Sequence, residues 1–179
     1  MLKITSGKYK NLVLYQPPDS ITRPISQKVR AAVFNSLADK IIGASVLDIY
    51  AGSGAMSIEA ISRGASKSVL VDSNSKAIFS IKRNIDKLDS SSNMTVIKRD
   101  ALRYVQDCRE KYDVIILDPP YDNFDVNIVN RVANLLQYGG IIVVSHSSKI
   151  HIDGLNDNLR IVSSKRYGDT QIEYIDALN

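Results

Sequence analysis

The chain has 179 residues, of which 44% are hydrophobic and 23% are charged, a composition typical of an ordinary globular domain. No apolar run approaches the roughly 20 residues of a membrane span, and the opening stretch "MLKITSGKYK" lacks the apolar core of a signal peptide. The single cysteine, Cys108, excludes an internal disulfide. We therefore expect a cytoplasmic protein that makes no contact with a membrane.

The net charge of +4 is concentrated near the amino terminus, because residues 1–40 carry +5 and the remaining residues carry −1. A basic segment beside a nearly neutral body favours a polyanionic partner, most often nucleic acid. A lysine-rich face that only keeps the protein in solution would have the same composition. The basic residues for which we predict contact with nucleic acid are Lys8, Lys10, Lys28 and Arg30.

The first 40 residues predict a hairpin, a loop and a helix. Two short runs of alternating apolar residues, "LKIT" and "LVLYQ", flank the polar "SGKYKN" and indicate a small hairpin. The stretch "PPDSITRP" predicts an extended loop, because proline disfavours helix at and before its own position. Ser26 is expected to cap the helix that follows. The apolar face of that helix comprises Val29, Val33, Phe34 and Leu37.

From Ser45 onward, apolar strands alternate with amphipathic helices. The predicted strands are 45–50, 67–72, 94–100, 113–118 and 140–146, and the predicted helices are 55–64, 75–88, 101–110 and 123–139. This alternation indicates a mostly parallel sheet that is covered by helices on both faces. Residues 159–178 predict two further strands that are joined at Gly168 and Asp169. We expect them to form an antiparallel hairpin at one edge of the sheet.

The stretch "VLDIYAGSGAMS" (46–57) places a carboxylate and a glycine turn at the end of the first predicted strand. Ligands of open parallel sheets bind beyond the carboxyl ends of the strands. Gly52 and Gly54 allow a tight turn and a close approach of the backbone to a ligand, and Asp48 could hold a cationic or hydroxylated group. Asp72 ends the second strand and suits the hydroxyls of a ribose, and Asp100 ends the third strand, near an adenine edge. Together they predict a nucleoside pocket.

The kind of nucleoside follows from what the glycine turn lacks. The dinucleotide fingerprint has Gly or Ala at its third position, where this chain has Ser57, and Asp48 beside the turn disfavours a pyrophosphate. S-adenosylmethionine carries a sulfonium cation and no phosphate, and it therefore fits acidic strand ends better. A purely structural glycine turn and a nicotinamide-dependent oxidoreductase are the alternatives at this point.

The stretch "VIILDPPYDN" (114–123) ends the fourth strand with a carboxylate and two prolines. An exocyclic amino group of a base is a poor nucleophile and needs acceptors for its two N–H groups. Asp118 can accept one, and the Pro119 carbonyl can accept the other, because Pro120 stiffens the turn and aims that carbonyl. Tyr121 can stack on the base. The four residues thus predict transfer to a planar amine, and a stiff structural turn is the alternative.

These motifs resemble those of a known family. "DPPY" after an apolar strand is similar to the amino-methyltransferase motif of S-adenosylmethionine-dependent enzymes, and "LDIYAGSGAMSIEAISRGA" is similar to their first motif. "ITSGKYKNLVL", "TRPISQKVRAAVFNSL", "YDVIILDPPYDN" and "KRYGDTQIEYI" resemble the RsmD family, so the likeness covers nearly the whole chain. Lys8 and Lys10 stand where the family often has arginine, Asp72 where glutamate is common, and Ser145 where it tends to have an acidic residue.

The resemblance implies an α/β, Rossmann-like class I methyltransferase fold with a carboxyl-terminal antiparallel hairpin and a small amino-terminal hairpin and helix. It implies an RNA-binding extension at 1–40 and a methyltransferase domain at 41–179. The implied reaction is methylation of guanine N2, of the guanine-966 type, in 16S rRNA of the small subunit or its assembly intermediate. We expect a monomer. The resemblance adds Tyr50, Ser53 and Ala101 to the cofactor site and Arg23 to the RNA site.

Two other functions remain open. The DPPY motif also suits N6-adenine methylation of DNA or RNA, and the same fold could serve a non-catalytic RNA-binding protein. His146 and His151 have no cluster of partners that would indicate a metal, and no metal is predicted. Cys108 lies in a helical stretch away from the strand ends, which favours a structural thiol over a nucleophile.

Overall fold

A seven-stranded sheet forms the centre of the computed structural model, which describes residues 1–17, 25–89, 91–120 and 124–178. The strands are β1 (Ser45–Ile49), β2 (Lys67–Asp72), β3 (Met94–Lys98), β4 (Tyr112–Leu117), β5 (Leu136–Ser147), β6 (Leu159–Tyr167) and β7 (Thr170–Ala177). Their order in the sheet is β3-β2-β1-β4-β5-β7-β6. The first five pair in parallel, and β7 pairs antiparallel with both β5 and β6. The predicted mixed sheet with an antiparallel hairpin at its edge is confirmed.

Helices cover both faces of this sheet. They are α1 (Gln27–Leu37), α2 (Ala55–Ser62), α3 (Ser75–Ile85), α4 (Ala101–Asp107) and α5 (Val126–Val132), with short 3-10 turns at Ala38–Ile41, Ser91–Asn93 and Ala133–Leu135. The first three helices pack on the face that carries Val46 and Ile116, and the last two pack on the face that carries Leu47 and Ile115. Since β1 has β2 on one side and β4 on the other, the strand order reverses between β1 and β4. A ligand crevice is expected at the carboxyl ends of those two strands.

The prediction of helix for Leu136–Gly139 is wrong, because β5 begins at Leu136. The apolar periodicity of α5 continues through this stretch, and helix and strand cannot be separated there by periodicity alone. Gly139 adopts a φ of +72°, and a Cβ on Gly140 would lie 2.8 Å from the carbonyl oxygen of Asp113. The two glycines let β5 approach β4 closely where the register between the strands shifts.

The predicted amino-terminal hairpin is present but short. Lys3 and Val13 form one antiparallel bridge, and the amide of Leu14 donates to the carbonyl of Leu2 at 2.9 Å. Ser26 caps α1 as expected, because its hydroxyl accepts from the amide of Val29 at 3.2 Å. Residues of the hairpin and of α1 share one hydrophobic core with the sheet. The division at residue 40 therefore stays a prediction about RNA binding. Within the described ranges, no helix has the length and apolarity needed to span a membrane.

Candidate active site

The carboxylates of Asp48 and Asp118 lie on the same face of two neighbouring strands. Ile49 of β1 pairs with Leu117 of β4, and the amide of Asp118 approaches the carbonyl of Ile49 at 3.5 Å. Because side chains alternate along a strand, both aspartates point to the face on which α2 packs. The pairing of adjacent parallel strands thus brings together two residues that are far apart in the sequence.

Burial gives both carboxylates an unusual protonation equilibrium. Asp48 is only 1% exposed, and burial raises its pKa to about 7, with a further increase from the charges of Asp118 and Asp72. Burial also raises the pKa of Asp118 to about 7. The charges that act on Asp48 are both negative, so its ionised form is disfavoured in the free protein. A cationic ligand in the crevice would relieve this repulsion and favour the ionised forms of Asp48 and Asp118.

The turn after β1 contains three residues with positive φ angles. Tyr50, Gly52 and Gly54 adopt φ angles of +66°, +57° and +76°, and a Cβ on Gly54 would meet the Leu70 side chain at 3.1 Å. A positive φ is costly for tyrosine and is held here by the surrounding structure. Asp72 accepts from the amide of Gly52 at 2.9 Å, which ties the turn to the end of β2. The predicted cofactor residues of β1 and β2 therefore form one connected turn.

Ser57, at the position where the dinucleotide fingerprint has Gly or Ala, connects this turn to the sheet. Its hydroxyl donates to the Asp48 carboxylate at 2.7 Å, and its amide lies 3.2 Å from the same oxygen. Ser68 of β2 in turn donates to the Ser57 hydroxyl at 2.9 Å. Asp48 thus holds the start of α2 in place. A direct contact between Asp48 and the cofactor stays a prediction.

The third strand end carries the remaining predicted cofactor residues. Asp100 is exposed and caps α4 by accepting from the amide of Arg103 at 3.1 Å, and Ala101 is buried as the first residue of that helix. Burial and the charge of Asp100 both raise the pKa of Tyr50 above its usual value. The charge of Asp100 therefore acts on Tyr50, and a shared cofactor crevice at these strand ends stays a prediction.

Asn84, which the sequence analysis did not identify, forms a hydrogen bond with the backbone of Ser53. The side-chain amide of Asn84, which is fully buried in α3, donates to the carbonyls of Ser53 at 2.9 Å and Tyr15 at 2.8 Å. Its oxygen accepts from the amide of Tyr15 at 2.7 Å. The signal was available, because Asn84 falls on the apolar stripe of α3 with Ala77 and Ile81, and a buried amide needs partners.

Part of the DPPY segment is described. Asp118 and Pro120 are partly buried and Pro119 is buried, whereas Tyr121 lies outside the described residues. Leu117 pairs with Val144, so Ser145 follows on the neighbouring strand beside Asp118, and its hydroxyl lowers the pKa of that carboxyl. Among the described residues, this buried hydroxyl makes no hydrogen bond of normal geometry, although it lies close enough to Asp118 to affect its pKa. The sequence alone indicates no function for Ser145, and only the β4–β5 register reveals its position.

The predicted RNA-binding residues do not all reach the surface. Lys8, Lys10 and Lys28 are exposed, with Lys8 in an ion pair with Asp89 at 2.7 Å, and Arg23 lies outside the described residues. The prediction for Arg30 is wrong.

Arg30 is only 1% exposed, and its Nε lies 3.2 Å from the Glu59 carboxylate of α2. The physical reason is visible in the sequence, because Arg30 shares the i, i+3, i+4 stripe with Val33 and Phe34 on the buried face of α1.

Comparisons with known proteins agree with this geometry. A family model described as "Conserved hypothetical protein 95" matches residues 2–176. The chain belongs to this family. YlbH of Bacillus subtilis (strain 168), an rRNA methyltransferase by name, is 29% identical over an alignment of 177 residues that covers 96% of this chain and 96% of that protein. The Haemophilus influenzae protein named "Ribosomal RNA small subunit methyltransferase D" is 32% identical over 138 residues, covering 75% of this chain and 70% of that protein.

A solved structure shows the same fold. Escherichia coli yhhF, a methyltransferase by name, matches with a TM-score of 0.88 and 24% identity, covering 98% of this chain and 97% of that one. The predicted class I methyltransferase fold and the predicted membership of the RsmD family are therefore confirmed.

Proposed function

We propose that this protein transfers a methyl group from S-adenosylmethionine to the exocyclic N2 of a guanine in 16S rRNA, in the small ribosomal subunit or its assembly intermediate. The observation that carries the proposal is the partly buried Asp118, with a pKa raised to about 7, next to the Pro119–Pro120 pair at the strand-order reversal. Family membership supports rRNA as the substrate class. The cytoplasmic location that Cys108 suggested stays a prediction.

The crevice residues fit the cofactor. When bound, S-adenosylmethionine supplies a methyl group that its sulfonium already activates. The acidic environment of Asp48, Asp72 and Asp118 suits that cation, since the charges of Asp118 and Asp72 already act on the Asp48 carboxylate. The positive-φ turn at Gly52 and Gly54 leaves room for close approach of a ligand to the backbone. Asp72 remains able to accept from ribose hydroxyls, because a carboxylate has about four acceptor positions.

The chain's own residues then activate the amine. Asp118 accepts one N–H of the exocyclic nitrogen, and the Pro119 carbonyl accepts the other, which directs the lone pair away from both acceptors. Positive charge develops on the nitrogen as it reacts, and both acceptors stabilise that charge more strongly than they stabilise the neutral amine. The partly buried position of Asp118 strengthens this interaction, since water screens it less.

Methyl transfer to defined RNA tests the proposal. The protein is incubated with labelled S-adenosylmethionine and with small subunits from cells that lack the enzyme, and the modified nucleoside is identified by mass spectrometry. We expect N2-methylguanosine at one position of 16S rRNA. N6-methyladenosine would replace the proposal by the adenine alternative. If the protein binds both RNA and S-adenosylmethionine but transfers no methyl group, the alternative of a non-catalytic RNA-binding protein would replace the proposal.

Asp72→Ala is expected to weaken S-adenosylmethionine binding about 10- to 100-fold without unfolding the protein. The substitution removes the ribose acceptor and the acceptor for the Gly52 amide, and hydrogen bonds to a charged group contribute about 1.5–3 kcal/mol each. Isothermal titration calorimetry measures the affinity. Asp86→Ala, an exposed carboxylate on the same side of the sheet, is the matched control and should bind normally. Unchanged affinity in a folded Asp72→Ala variant would remove this residue from the cofactor site.

Neutralising Lys8, Lys10 and Lys28 together is expected to raise the KM for RNA and to flatten its salt dependence. Each lost phosphate contact lowers the slope of log affinity against log salt by about 0.7–0.9, so three contacts lower it by about 2–3. Filter binding at several salt concentrations measures the slope. The control is the equivalent triple substitution of Lys67, Lys111 and Lys149, which are exposed outside this segment. Equal slopes in the two triple variants would mean that the amino-terminal lysines only aid solubility.

A further inference from the structure

An exposed aromatic side chain lies beside the cofactor turn. Phe79 of α3 is 59% exposed, and the edge-to-face packing of its ring with Tyr15 has a centroid distance of 6.3 Å and an interplanar angle of 81°. The guanidinium carbon of Arg83 lies 4.4 Å from the centre of the Tyr15 ring. We call Tyr15, Phe79 and Arg83 the aromatic platform.

The platform does not belong to the hydrophobic core. The stripe of α3 that faces the sheet comprises Ala77, Ile81 and Ile85, and Phe79 lies outside both core clusters. Phe79 and Arg83 are four residues apart and therefore lie on the same face of the helix. A flat apolar ring beside a guanidinium that stacks on Tyr15 combines two features that suit a nucleotide, a face for the base and a positive charge for the phosphate.

The position of the platform relative to the turn is fixed by Asn84. Its side chain bonds the backbone of Tyr15 on one side and the carbonyl of Ser53 on the other. Lys8, by contrast, donates its amide to the carbonyl of Ser62 at the far end of α2. That helix has eight residues and begins at the turn, so the backbone of Lys8 lies about one helix length, roughly 12 Å, from the turn. The platform is thus the nearer of the two RNA-compatible surfaces to the reaction site.

The exposed side of α3 also carries positive charge that suits a polyanion. Besides Arg83, α3 carries Lys76 and Lys82, and Lys87 directly after the helix donates to the carbonyl of Val13 in the amino-terminal segment. The acidic residues here are Asp86 and Asp89, and Asp89 is paired with Lys8. The exposed side of α3 therefore extends the basic amino-terminal segment toward the cofactor turn.

We propose that the aromatic platform stacks an unpaired RNA base that flanks the target guanine, with Arg83 beside its phosphate. This inference rests on the proposed function, since it assigns part of the RNA site of that reaction. Measured across the sheet, α3 is offset from β4 by two to three strand spacings, roughly 10–15 Å. A few nucleotides of single-stranded RNA can bridge this offset. Stacking on phenylalanine tolerates any base, so the platform anchors the strand while the DPPY segment selects the reacting amine.

Phe79→Ala tests the inference. Loss of one stacked base is expected to raise the KM for small subunits, and the Kd for a single-stranded oligoribonucleotide that contains the target, about 5- to 100-fold. The Kd for S-adenosylmethionine and the kcat at saturating RNA should stay within twofold. Phe79→Trp should restore the affinity, because it supplies another flat ring. Tyr138→Ala, which removes an aromatic ring that is 82% exposed on β5, is the matched control and should bind as the wild type does.

The salt dependence separates the roles of Phe79 and Arg83 within the platform. Phe79→Ala should leave the salt slope unchanged, whereas Arg83→Gln should lower it by about 0.7, the value for one phosphate contact on single-stranded RNA. Wild-type affinity of Phe79→Ala for the oligonucleotide would overturn the inference. So would a loss seen with assembled subunits but not with the oligonucleotide, because the partner would then be a ribosomal protein. If the wild type binds RNA but transfers no methyl group, the proposed function fails, and the binding assay still decides the role of the platform.

Discussion

Asp118→Ala is expected to lower kcat by about 10²–10³ while the protein still binds S-adenosylmethionine and most of its RNA. In the proposed mechanism the cofactor is held mainly by the ends of β1, β2 and β3, and the RNA by the basic segment and α3. Asp118 is the charged acceptor of the amine and stabilises its developing positive charge, and removal of one preorganised electrostatic partner typically has this effect. Single-turnover kinetics at saturating cofactor and RNA measure the chemical step.

The conservative variant sharpens the result. Asp118→Asn keeps an oxygen that can accept one N–H bond but loses the negative charge, so its rate should fall between those of the wild type and the alanine variant. The loss should appear in kcat and not in the KM for RNA, since the interaction is strongest in the transition state. Turnover of the alanine variant at the wild-type rate would show that the segment is only a rigid turn.

The pH dependence follows from the raised pKa of Asp118, which lies at about 7 in the free protein because of burial. The ionised carboxylate stabilises the developing positive charge more strongly than the neutral acid does, so kcat/KM should rise as the pH increases through about 7. At saturating cofactor the sulfonium charge favours the ionised form, and the midpoint of kcat should therefore move to lower pH. In Asp118→Asn, kcat should no longer rise with pH in this range. A rise that persists in this variant would assign the titration to another group.

Glu59→Ala is expected to destabilise the fold by about 3–5 kcal/mol, the usual effect of breaking a buried ion pair from one side. Glu59 is fully buried and accepts from the amide of Thr5 at 2.8 Å, from Arg30 at 3.2 Å and from Arg63 at 2.9 Å. Burial alone would raise the pKa of Glu59, but these hydrogen bonds outweigh it and hold the pKa below its usual value. Without the carboxylate, Arg30 would be left buried and unpaired beneath the hairpin.

Denaturant unfolding, monitored by circular dichroism, measures this effect. Asp176→Ala breaks the exposed pair with Arg160 at 2.9 Å and is the matched control, with an expected loss of less than about 1 kcal/mol. Replacing both Arg30 and Glu59 by methionine should cost less stability than Glu59→Ala, because the buried Arg30 charge is removed together with its partner. Equal unfolding midpoints for Glu59→Ala and Asp176→Ala would contradict the prediction.

The sequence by itself determined the features that depend on local chemistry. Continuous apolar runs predicted the parallel strands, and the residues at their ends predicted the crevice, because strand ends of a parallel sheet meet at one edge. Ser26 as a cap and the turn at Gly168 followed in the same way from the backbone preferences of single residues. The family also followed from the glycine turn and the DPPY segment together with the amino- and carboxyl-terminal stretches, since each of these motifs is contiguous in the chain.

Tertiary structure alone decided which polar side chains meet. Ser145 stands beside Asp118 only through the register of β4 and β5, and Asn84 joins Ser53 to Tyr15 across nearly 70 residues. Composition grouped Arg30 with the exposed lysines, whereas packing of α1 on α2 buried it against Glu59. The physical reason is common to these cases. Burial and partner choice depend on which faces of distant elements pack together, and that information is distributed over the whole chain.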